Sequence, residues 1–197
     1  MLVHLPPQSF KHNQNLVDGY QRARKIIFHD RLKWDVKVED DREVDEFDSE
    51  YSHYLISLHE GQVIGGVRLT SSTFPNLTYE VFEKYFPGGF SLERSFNILE
   101  SSRFGLVFTD NTSSSSIRSH TFDLLKGIVK FALDYGYNSI ITVVDVRMER
   151  TLRLAGWPIK RITDVVQIGK TKTITGLLPV SWEIHDHLAK KSQERDV

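Results

Sequence analysis

Glu100-Ser101-Ser102-Arg103-Phe104 is the stretch around which the chain is organised, because it places a carboxylate and a guanidinium inside an apolar run. The run extends from Phe96 to Phe108, and its alternation of side chains predicts a β-strand. Residues i and i+3 of a strand point to opposite faces, so Glu100 and Arg103 share a face only where a bulge shifts the strand. Burial of either charge without a partner is costly. Taken alone, the stretch is interpreted as an ion pair on an edge strand.

The composition is typical of one globular domain. The 197 residues are 40% hydrophobic and 26% charged, with a net charge of −1, so no basic excess indicates nucleic-acid binding. The absence of cysteine excludes disulfides and thiolate chemistry. The N-terminus lacks a signal-peptide pattern, and no apolar run approaches membrane-spanning length. The chain is therefore expected to be cytoplasmic, without membrane contact, and no metal-binding motif is present.

The segments before the central strand predict a helix, an acidic loop and a hairpin. Asn13–Leu32 carries apolar residues at spacings of three and four, which predicts an amphipathic helix. Residues 33–49 are rich in acidic residues without an apolar period, which predicts a long irregular loop. A disordered acidic linker is the alternative, although the two aromatic residues of this segment argue against it. Residues 51–59 and 62–71, joined by Glu60-Gly61, predict a hairpin.

Helices and strands alternate through the rest of the chain. In order, the patterns predict a helix over Tyr79–Phe86 closed by Pro87-Gly88-Gly89, the central strand, a loop over Thr109–Ser116, a helix over Ile117–Tyr135 ending at Gly136, a strand over Asn138–Val144, a helix over Arg147–Leu154, strands over Ile159–Ile168 and Lys172–Pro179, and a helix from Ser181 or Trp182. This order predicts an α/β protein with a mixed sheet covered by helices on both faces. A ligand cleft is expected where neighbouring strands diverge.

Charged and aromatic residues ahead of the central strand form a candidate site. Arg24 and Phe28 are four apart and share a helix face, which is typical either of a packed helix edge or of a wall for a flat ring. Asp45 and Asp48 are three apart in the acidic loop, which fits either a turn or a site for a cation. Arg68 lies on a strand rich in valine and leucine, where it either faces solvent or needs an anionic partner.

Together these pieces resemble a known family. Arg24-x3-Phe28-x5-Trp34, then Asp45-x2-Asp48, Arg68-Leu69 and Glu100-Ser101-Ser102-Arg103-Phe104 closely resemble, in order and spacing, the acyl-homoserine-lactone synthases of the LuxI type. The resemblance covers roughly residues 1–105 and is looser beyond them. It implies a single autoinducer synthase domain over residues 1–197. Within it, residues 1–50 would form the N-terminal helix and the S-adenosylmethionine-binding loop, and residues 105–197 would bind the acyl chain and the carrier protein.

The resemblance also implies a fold and a reaction. The fold is that of the GNAT acyltransferases, a three-layer α-β-α sandwich with a V-shaped cleft. The reaction transfers an acyl chain from acyl carrier protein to the amine of S-adenosyl-L-methionine, which is a substrate and not a cofactor. Lactone closure then gives an N-acyl-L-homoserine lactone, a quorum-sensing signal, and releases 5′-methylthioadenosine. No enzyme nucleophile is needed, because the carboxylate of the substrate displaces a leaving group that its positive sulfur activates.

The resemblance and the chemistry of the substrates imply residue roles. Catalytic roles fall to Glu100, Arg103, Asp45 and Asp48, with Glu100 expected to take the amine proton directly or through a water. S-adenosylmethionine is expected to contact Arg24, Phe28, Trp34, Asp45, Asp48, Arg68 and Phe104, which offer aromatic faces and charges of both signs. The acyl chain is expected to contact Thr142, Phe104, Leu125, Val143 and Leu152. The acidic carrier protein is expected to dock on Arg147, Arg150 and Arg153, which are otherwise a solvated helix face.

Two details bear on the donor and on the acyl chain. In the family, threonine at the position of Thr142 accompanies 3-oxo acyl chains, since its hydroxyl can donate to the 3-oxo oxygen. The stretch Thr109–Ser114 lacks the glycines of the phosphate loop in acyl-CoA-dependent GNAT enzymes, which favours the carrier protein. The alternatives are a GNAT-like N-acyltransferase that uses acyl-CoA and a non-catalytic module that binds S-adenosylmethionine or an acyl ligand.

Overall fold

The computed structural model describes residues 1–87, 93–109 and 112–193. Within these ranges the strands are β1 Leu2–Leu5, β2 Val38–Glu39, β3 Arg42–Glu43, β4 Ser52–His59, β5 Gln62–Ser71, β6 Ile98–Leu106, β7 Ser139–Asp145, β8 Lys160–Arg161, β9 Val166–Ile168 and β10 Thr171–Pro179. The α-helices are α1 Gln14–Arg24, α2 Leu77–Glu80, α3 Ser114–Asp134, α4 Val146–Leu154 and α5 Trp182–Gln193. No helix in the described ranges has both the length and the apolar character needed to cross a membrane.

Eight strands form one mixed sheet in the order β1-β4-β5-β6-β7-β10-β8, with β9 also paired to β10. The strands β6 and β7 are parallel, and they pair only from Ile98 and Ser139 to Ser101 and Thr142. Beyond that point β6 remains paired with β5, and β7 remains paired with β10. The sheet therefore opens into a V at its centre. Since β6 is a central strand, the interpretation of its charges as an edge-strand ion pair is wrong.

Helices cover both faces of this sheet. On β4, Tyr54 and Ile56 pack against α1, where Tyr20 lies 5.1 Å from the ring of Tyr54. The intervening residue, Leu55, belongs to the main core with α3. Because alternate residues of a strand point to opposite faces, α1 and α3 lie on opposite sides of the sheet. Leu188 of α5 joins the α3 side. These three layers confirm the predicted mixed α/β sandwich.

Local signals in the sequence also mark several element ends. The hairpin of β4 and β5 turns at Glu60-Gly61, where both residues have positive φ (49° and 78°), as the two-residue turn requires. The helix α3 begins earlier than predicted, because the Ser113 side chain caps it by accepting a hydrogen bond from the Ser116 amide. Its end is marked by Gly136 with φ +79°. These ends follow from local chemistry that the sequence shows.

The predicted helix over Asn13–Leu32 has two parts of different geometry. It is an α-helix as far as Arg24 and a π-helix over Lys25–Arg31, followed by a hydrogen bond of 3.0 Å from the Leu32 amide to the Ile27 carbonyl. The prediction of one continuous α-helix is therefore wrong for the second part. An apolar spacing of three to four residues does not distinguish the wider π turn from the α turn.

Several short elements differ from the predictions. The strand β1 and a 3-10 helix over Pro7–His12 were not predicted, and the acidic loop contains the β2–β3 hairpin. The predicted helix over Tyr79–Phe86 is replaced by α2 and a 3-10 turn over Glu83–Tyr85, and the predicted strand over Ile159–Ile168 is divided into β8 and β9. Such short pieces depend on pairing with distant strands, which local periodicity does not reveal. Gly88 and Gly89, predicted to close the short helix, lie outside the described residues.

Candidate active site

A cavity of about 250 Å³ lies where β6 and β7 separate. The site residues predicted from the sequence that line it are Phe28, Trp34, Arg103, Phe104, Thr142 and Val143. Its remaining walls come from Ile27, Arg31, Leu32, Leu77, Thr78, Phe82, Ser101, Ser102, Gly105, Leu106, Val144, Asp145 and Met148. The split in the sheet thus forms an apolar chamber with a few polar groups, as small-molecule sites usually do.

A bulge in β6 directs Arg103 towards the other charged residues. Arg103 has φ +56°, which is unusual for a residue with a side chain, and the pairing of β5 with β6 shifts register beside Arg68. The Tyr20 hydroxyl donates to the Arg103 carbonyl (2.9 Å) and holds this conformation. Arg103 reaches Asp45, which Arg68 also contacts, and Arg68 in turn donates to Ser102. Of the two alternatives, a regular strand and a strand shifted by a bulge, β6 therefore adopts the second.

Behind the cavity, six buried or nearly buried side chains form an ion network. Its members are Arg24, Arg68 and Arg103 with Glu43, Asp45 and Asp48. Arg24 Nε donates to Glu43 Oε2 (2.5 Å), and its Nη1 donates to Asp48 Oδ1 (2.6 Å). Arg103 Nη2 donates to Glu43 Oε1 (2.8 Å) and lies 3.0 Å from Asp45 Oδ2. Arg68 bonds to both aspartates.

The ion network balances three positive and three negative charges. Such pairing makes the burial tolerable, since a buried charge without a partner is strongly destabilising. Burial alone would raise the pKa of Asp48, but Arg24 and Arg68 outweigh it and hold that pKa far below its usual value. In the same way, Arg68 and Arg103 lower the pKa of Asp45 against the effect of burial. Both aspartates are therefore ionised at neutral pH.

Glu100 lies beside the ion network but is not part of it. It is 0% exposed, and its Oε1 accepts hydrogen bonds from the amide and hydroxyl of Thr78 (3.3 and 3.1 Å). Among the described residues, none makes a hydrogen bond to its Oε2. Burial raises the pKa of Glu100, and the charge of Arg68 opposes this only in part. A carboxyl group with a raised pKa is suited to accept and return a proton.

Aromatic side chains form one wall of the cavity. The rings of Phe28 and Trp34 lie 5.4 Å apart, and the guanidinium of Arg103 lies 5.1 Å from the Phe28 ring. The Trp34 indole nitrogen donates to the Thr171 hydroxyl (3.2 Å), which ties this wall to the start of β10. The arrangement offers flat apolar faces next to a cation.

The other predicted residues are distributed over three places. Arg24, Asp45, Asp48, Arg68 and Glu100 do not line the cavity and lie behind it. Leu125 and Leu152, predicted for the acyl chain, lie in the main core and do not line the cavity, since an apolar pattern does not separate core from cavity wall. Arg147, Arg150 and Arg153 lie on α4, where they line two outer pockets.

Glu43 is the member of the site that the sequence analysis misses. It is fully buried and bridges Arg24 and Arg103. No local pattern separates it from the other acidic residues of its loop. A charge count does not reveal it either, because the three arginines assigned to the site were already matched by three carboxylates, Asp45, Asp48 and Glu100.

Comparisons with known proteins agree with this geometry. The model of the autoinducer synthase family matches residues 8–188. An acyl-homoserine-lactone synthase of Rhizobium radiobacter is 32% identical over 182 residues, which cover 91% of this chain and 85% of that protein. The structure of the CoA-dependent acyl-homoserine lactone synthase BjaI, with SAM and isopentyl-CoA, matches with a TM-score of 0.86 at 21% identity, covering 100% of this chain and 91% of the other. An acyl-CoA N-acyltransferase from Pseudomonas aeruginosa matches with a TM-score of 0.60 at 12% identity. The match covers 90% of this chain and 97% of the other, so the two proteins share the fold.

Proposed function

This chain belongs to the autoinducer synthase family and is an acyltransferase, and we propose that it transfers a 3-oxoacyl chain from acyl carrier protein to S-adenosyl-L-methionine and then closes the lactone. The products are an N-acyl-L-homoserine lactone, 5′-methylthioadenosine and the free carrier protein. The observation that carries the proposal is the cavity at the strand split, with Arg103 on its wall and Glu100 behind it. The chamber thus offers apolar surface and a cation, and a proton acceptor lies behind its wall.

S-adenosylmethionine is assigned to the aromatic wall. Phe28 and Trp34 provide faces for the adenine or the sulfonium. Arg103 is the arginine of the ion network that lines the cavity, so it is the group assigned to the substrate carboxylate. The remaining five members of the ion network act as positioning residues, because they hold Arg103 and do not line the cavity.

The first step forms the amide. The amine nitrogen of S-adenosylmethionine attacks the thioester carbonyl, the new C–N bond forms and the C–S bond breaks. The amine proton passes to Glu100 through a water beside Thr78, which lines the cavity and bonds to Glu100. That proton then neutralises the departing thiolate of the donor. The backbone amides at the Arg103 bulge are assigned to stabilise the oxyanion.

The second step closes the ring. A carboxylate oxygen of the acylated substrate attacks the methylene next to the sulfonium, a C–O bond forms, and the C–S bond breaks with its electrons going to sulfur. 5′-Methylthioadenosine leaves as a neutral thioether, so no proton has to move. The role of the enzyme is to hold the chain folded with its ends close together, which Arg103 and the aromatic wall support.

The carrier protein is supported as donor by the surface of α4. Arg147 and Arg150 are exposed there, and Arg153 lies on the same helix. The glycine-free stretch Thr109–Ser114 argues in the same direction, although Asp110 and Asn111 lie outside the described residues. Since the neighbour BjaI is described as CoA-dependent, acyl-CoA is the alternative donor.

The test supplies S-adenosylmethionine with either 3-oxoacyl carrier protein or 3-oxoacyl-CoA and measures lactone and 5′-methylthioadenosine by mass spectrometry. Both products are expected, with a higher kcat/KM for the carrier protein. Failure to form either product with any donor would refute the proposed reaction. Product from acyl-CoA alone would refute the carrier protein as donor.

The 3-oxo preference is assigned to Thr142. Its hydroxyl lies on the cavity wall at the last register of the β6–β7 pair and donates its single proton to the Ser101 carbonyl (2.8 Å), so it must rotate away from that carbonyl to donate to a 3-oxo oxygen. Thr142→Val removes the donor and keeps the shape. The ratio of kcat/KM for 3-oxoacyl over unsubstituted acyl donors is expected to fall about tenfold, the equivalent of one good hydrogen bond. An unchanged ratio would leave Thr142 as an ordinary strand residue.

A further inference from the structure

A second pocket of about 380 Å³ opens directly beside the cavity. We call it the cationic mouth, after the four basic side chains that line it: Arg31, Arg147, Lys170 and Lys172. Arg31, Leu32 and Asp145 line both this pocket and the cavity. A ligand that extends out of the cavity past these shared residues therefore meets the cationic mouth.

The four cations of the mouth are not neutralised by neighbouring acids. In the described part of the chain, none of them forms an ion pair. The acidic residue that lines the pocket, Asp145, already caps α4, since its Oδ1 accepts the Met148 amide (2.6 Å). By contrast, Arg161 in the next pocket is bound at two points by Glu149 (2.6 and 2.7 Å). Unpaired positive charges that converge on one pocket favour an anionic ligand.

The two lysines are held in place relative to the cavity. They flank Thr171 at the turn between β9 and β10, and the Thr171 hydroxyl accepts the hydrogen bond from Trp34 on the aromatic wall. The same turn is closed by a hydrogen bond from the Gln167 side chain to the Gly169 carbonyl (3.0 Å). These contacts therefore fix the backbone from which both lysines extend relative to the aromatic wall.

We propose that the cationic mouth binds the phosphate of the phosphopantetheine arm of the acyl donor. The inference rests on the proposed function, in which the thioester enters the cavity and its arm must lead out again. The far end of that arm carries a phosphate, whether the arm belongs to acyl carrier protein or to CoA. Lysine and arginine side chains are the usual ligands of such an anionic phosphate ester, and four of them meet at this exit.

The test compares two small donors that differ only in the phosphate. The 3-oxoacyl thioesters of 4′-phosphopantetheine and of pantetheine are titrated by calorimetry into the protein without S-adenosylmethionine, so that no turnover is needed. The unmodified protein is expected to bind the phosphorylated thioester about tenfold tighter or more, as one or two charge-assisted bonds would give. The double variant Lys170→Gln/Lys172→Gln is expected to lose most of that ratio.

A charge-matched control is Lys11→Gln/Lys190→Gln, which removes two exposed lysines from other elements. It is expected to keep the ratio of the unmodified protein. The proposal is overturned if the unmodified protein binds both thioesters equally or binds neither. It is also overturned if the variant at 170 and 172 keeps the full ratio of affinities for the two thioesters. If the control variant lost as much of this affinity ratio as the variant at 170 and 172, the proposal would also be overturned, since the effect would then come from net charge.

Turnover then identifies the source of the phosphate. The variant at 170 and 172 is assayed for lactone with 3-oxoacyl carrier protein and with 3-oxoacyl-CoA. A loss of kcat/KM with the donor that the unmodified protein uses supports the proposal and assigns the arm to that donor, whereas no loss with either overturns it. If only acyl-CoA gives lactone, the carrier-protein part of the proposed function fails while the phosphate ratio still decides this inference.

Discussion

The carboxylates behind the cavity fall into two environments. Asp45 and Asp48 are paired with arginines, which lower their pKa values in spite of burial. Glu100 is buried nearby and accepts hydrogen bonds from Thr78, and burial raises its pKa. The same type of group is thus fixed in its ionised form in one place and made easier to protonate in the other.

The difference in pKa assigns different roles to the two kinds of carboxylate, with the aspartates as supporting groups and Glu100 as the group for proton transfer. A carboxylate that is paired with two guanidinium groups stays ionised near neutral pH. The aspartates of the ion network are therefore suited to position Arg103. Glu100 has a free oxygen and a raised pKa, which suits it to exchange protons with a substrate. Four substitutions test whether this division of roles holds.

Breaking the ion network has the largest expected effect. Glu43→Gln leaves Arg24 and Arg103 facing a neutral amide in a fully buried position, and it is expected to lower the free energy of unfolding by about 3–5 kcal/mol, measured by urea denaturation. The matched control is Glu46→Gln, which makes the same change at an exposed position of the same loop and is expected to cost less than about 0.5 kcal/mol. Similar values for both variants would contradict a structural role for the ion network.

Removing the proton acceptor has the next largest effect. Glu100→Gln keeps the shape and an oxygen that can accept from Thr78, but it cannot take up a proton. The kcat/KM for lactone formation is expected to fall about a hundredfold or more, with the fold retained in circular dichroism. Glu80→Gln, on the exposed surface of α2, serves as the control and should retain most of the activity. A loss of less than tenfold in Glu100→Gln would remove Glu100 from the chemistry.

The pH dependence of stability distinguishes the two environments by sign. The folded pKa of Glu100 is raised, so above its unfolded value of about 4.5 the folded state binds more protons and its stability falls as pH rises. The folded pKa of Asp48 is lowered, so its contribution is complete above its unfolded value of about 3.8 and is lost as pH falls towards the folded pKa.

Urea denaturation of the unmodified protein, Glu100→Gln and Asp48→Asn between pH 3 and 8 measures both effects. Relative to the unmodified protein, Glu100→Gln is expected to gain stability as pH rises above about 4.5. The disadvantage of Asp48→Asn is expected to shrink as pH falls below about 4. Parallel curves for all three proteins would show that the two carboxyl groups do not differ in this way.

The smallest expected effect comes from the hydroxyl of Thr78. Thr78→Val removes a donor to the Glu100 carboxylate, worth about 1 kcal/mol, and so raises the pKa of Glu100 further. Because Glu100 acts as a base, the rising limb of the pH–kcat/KM profile should move to higher pH. Thr121→Val, which removes an exposed hydroxyl on α3, should leave the limb in place. A shift to lower pH would show that the proton acceptor is another group.

The sequence predicts the layered fold because its main signals are local. Runs of strand-forming residues mark β4, β5 and β7, the helical period marks α1 and α3, and the order of these elements predicts a mixed sheet. The short strands β1, β8 and β9 are not predicted as such, since each exists through pairing with a distant strand. The π-helix after Arg24 is also not predictable, because the spacing of apolar side chains does not distinguish its hydrogen-bond pattern from that of an α-helix.

The candidate site is predictable to the extent that it lies in motifs. Phe28, Trp34 and Thr142 are singled out by the resemblance, and all three lie on the cavity wall. Glu43 is not found, since its burial depends on how the β2–β3 hairpin folds back over α1 and not on its neighbours in sequence. Leu125 was placed with the acyl chain and lies in the core, because the same apolar pattern describes both positions.

The split between β6 and β7 also bears on how such an enzyme diversifies. Past Ser101 and Thr142 no backbone ladder joins these two described strands, while each keeps its outer partner, β5 or β10. Side chains that face the opening, such as Phe104 and Val143, can therefore change size without loss of a main-chain hydrogen bond. With the acyl chain in this opening, as proposed, single substitutions there are expected to alter the acyl chain of the signal, and sister populations can come to use different signals while the sheet that supports both remains the same.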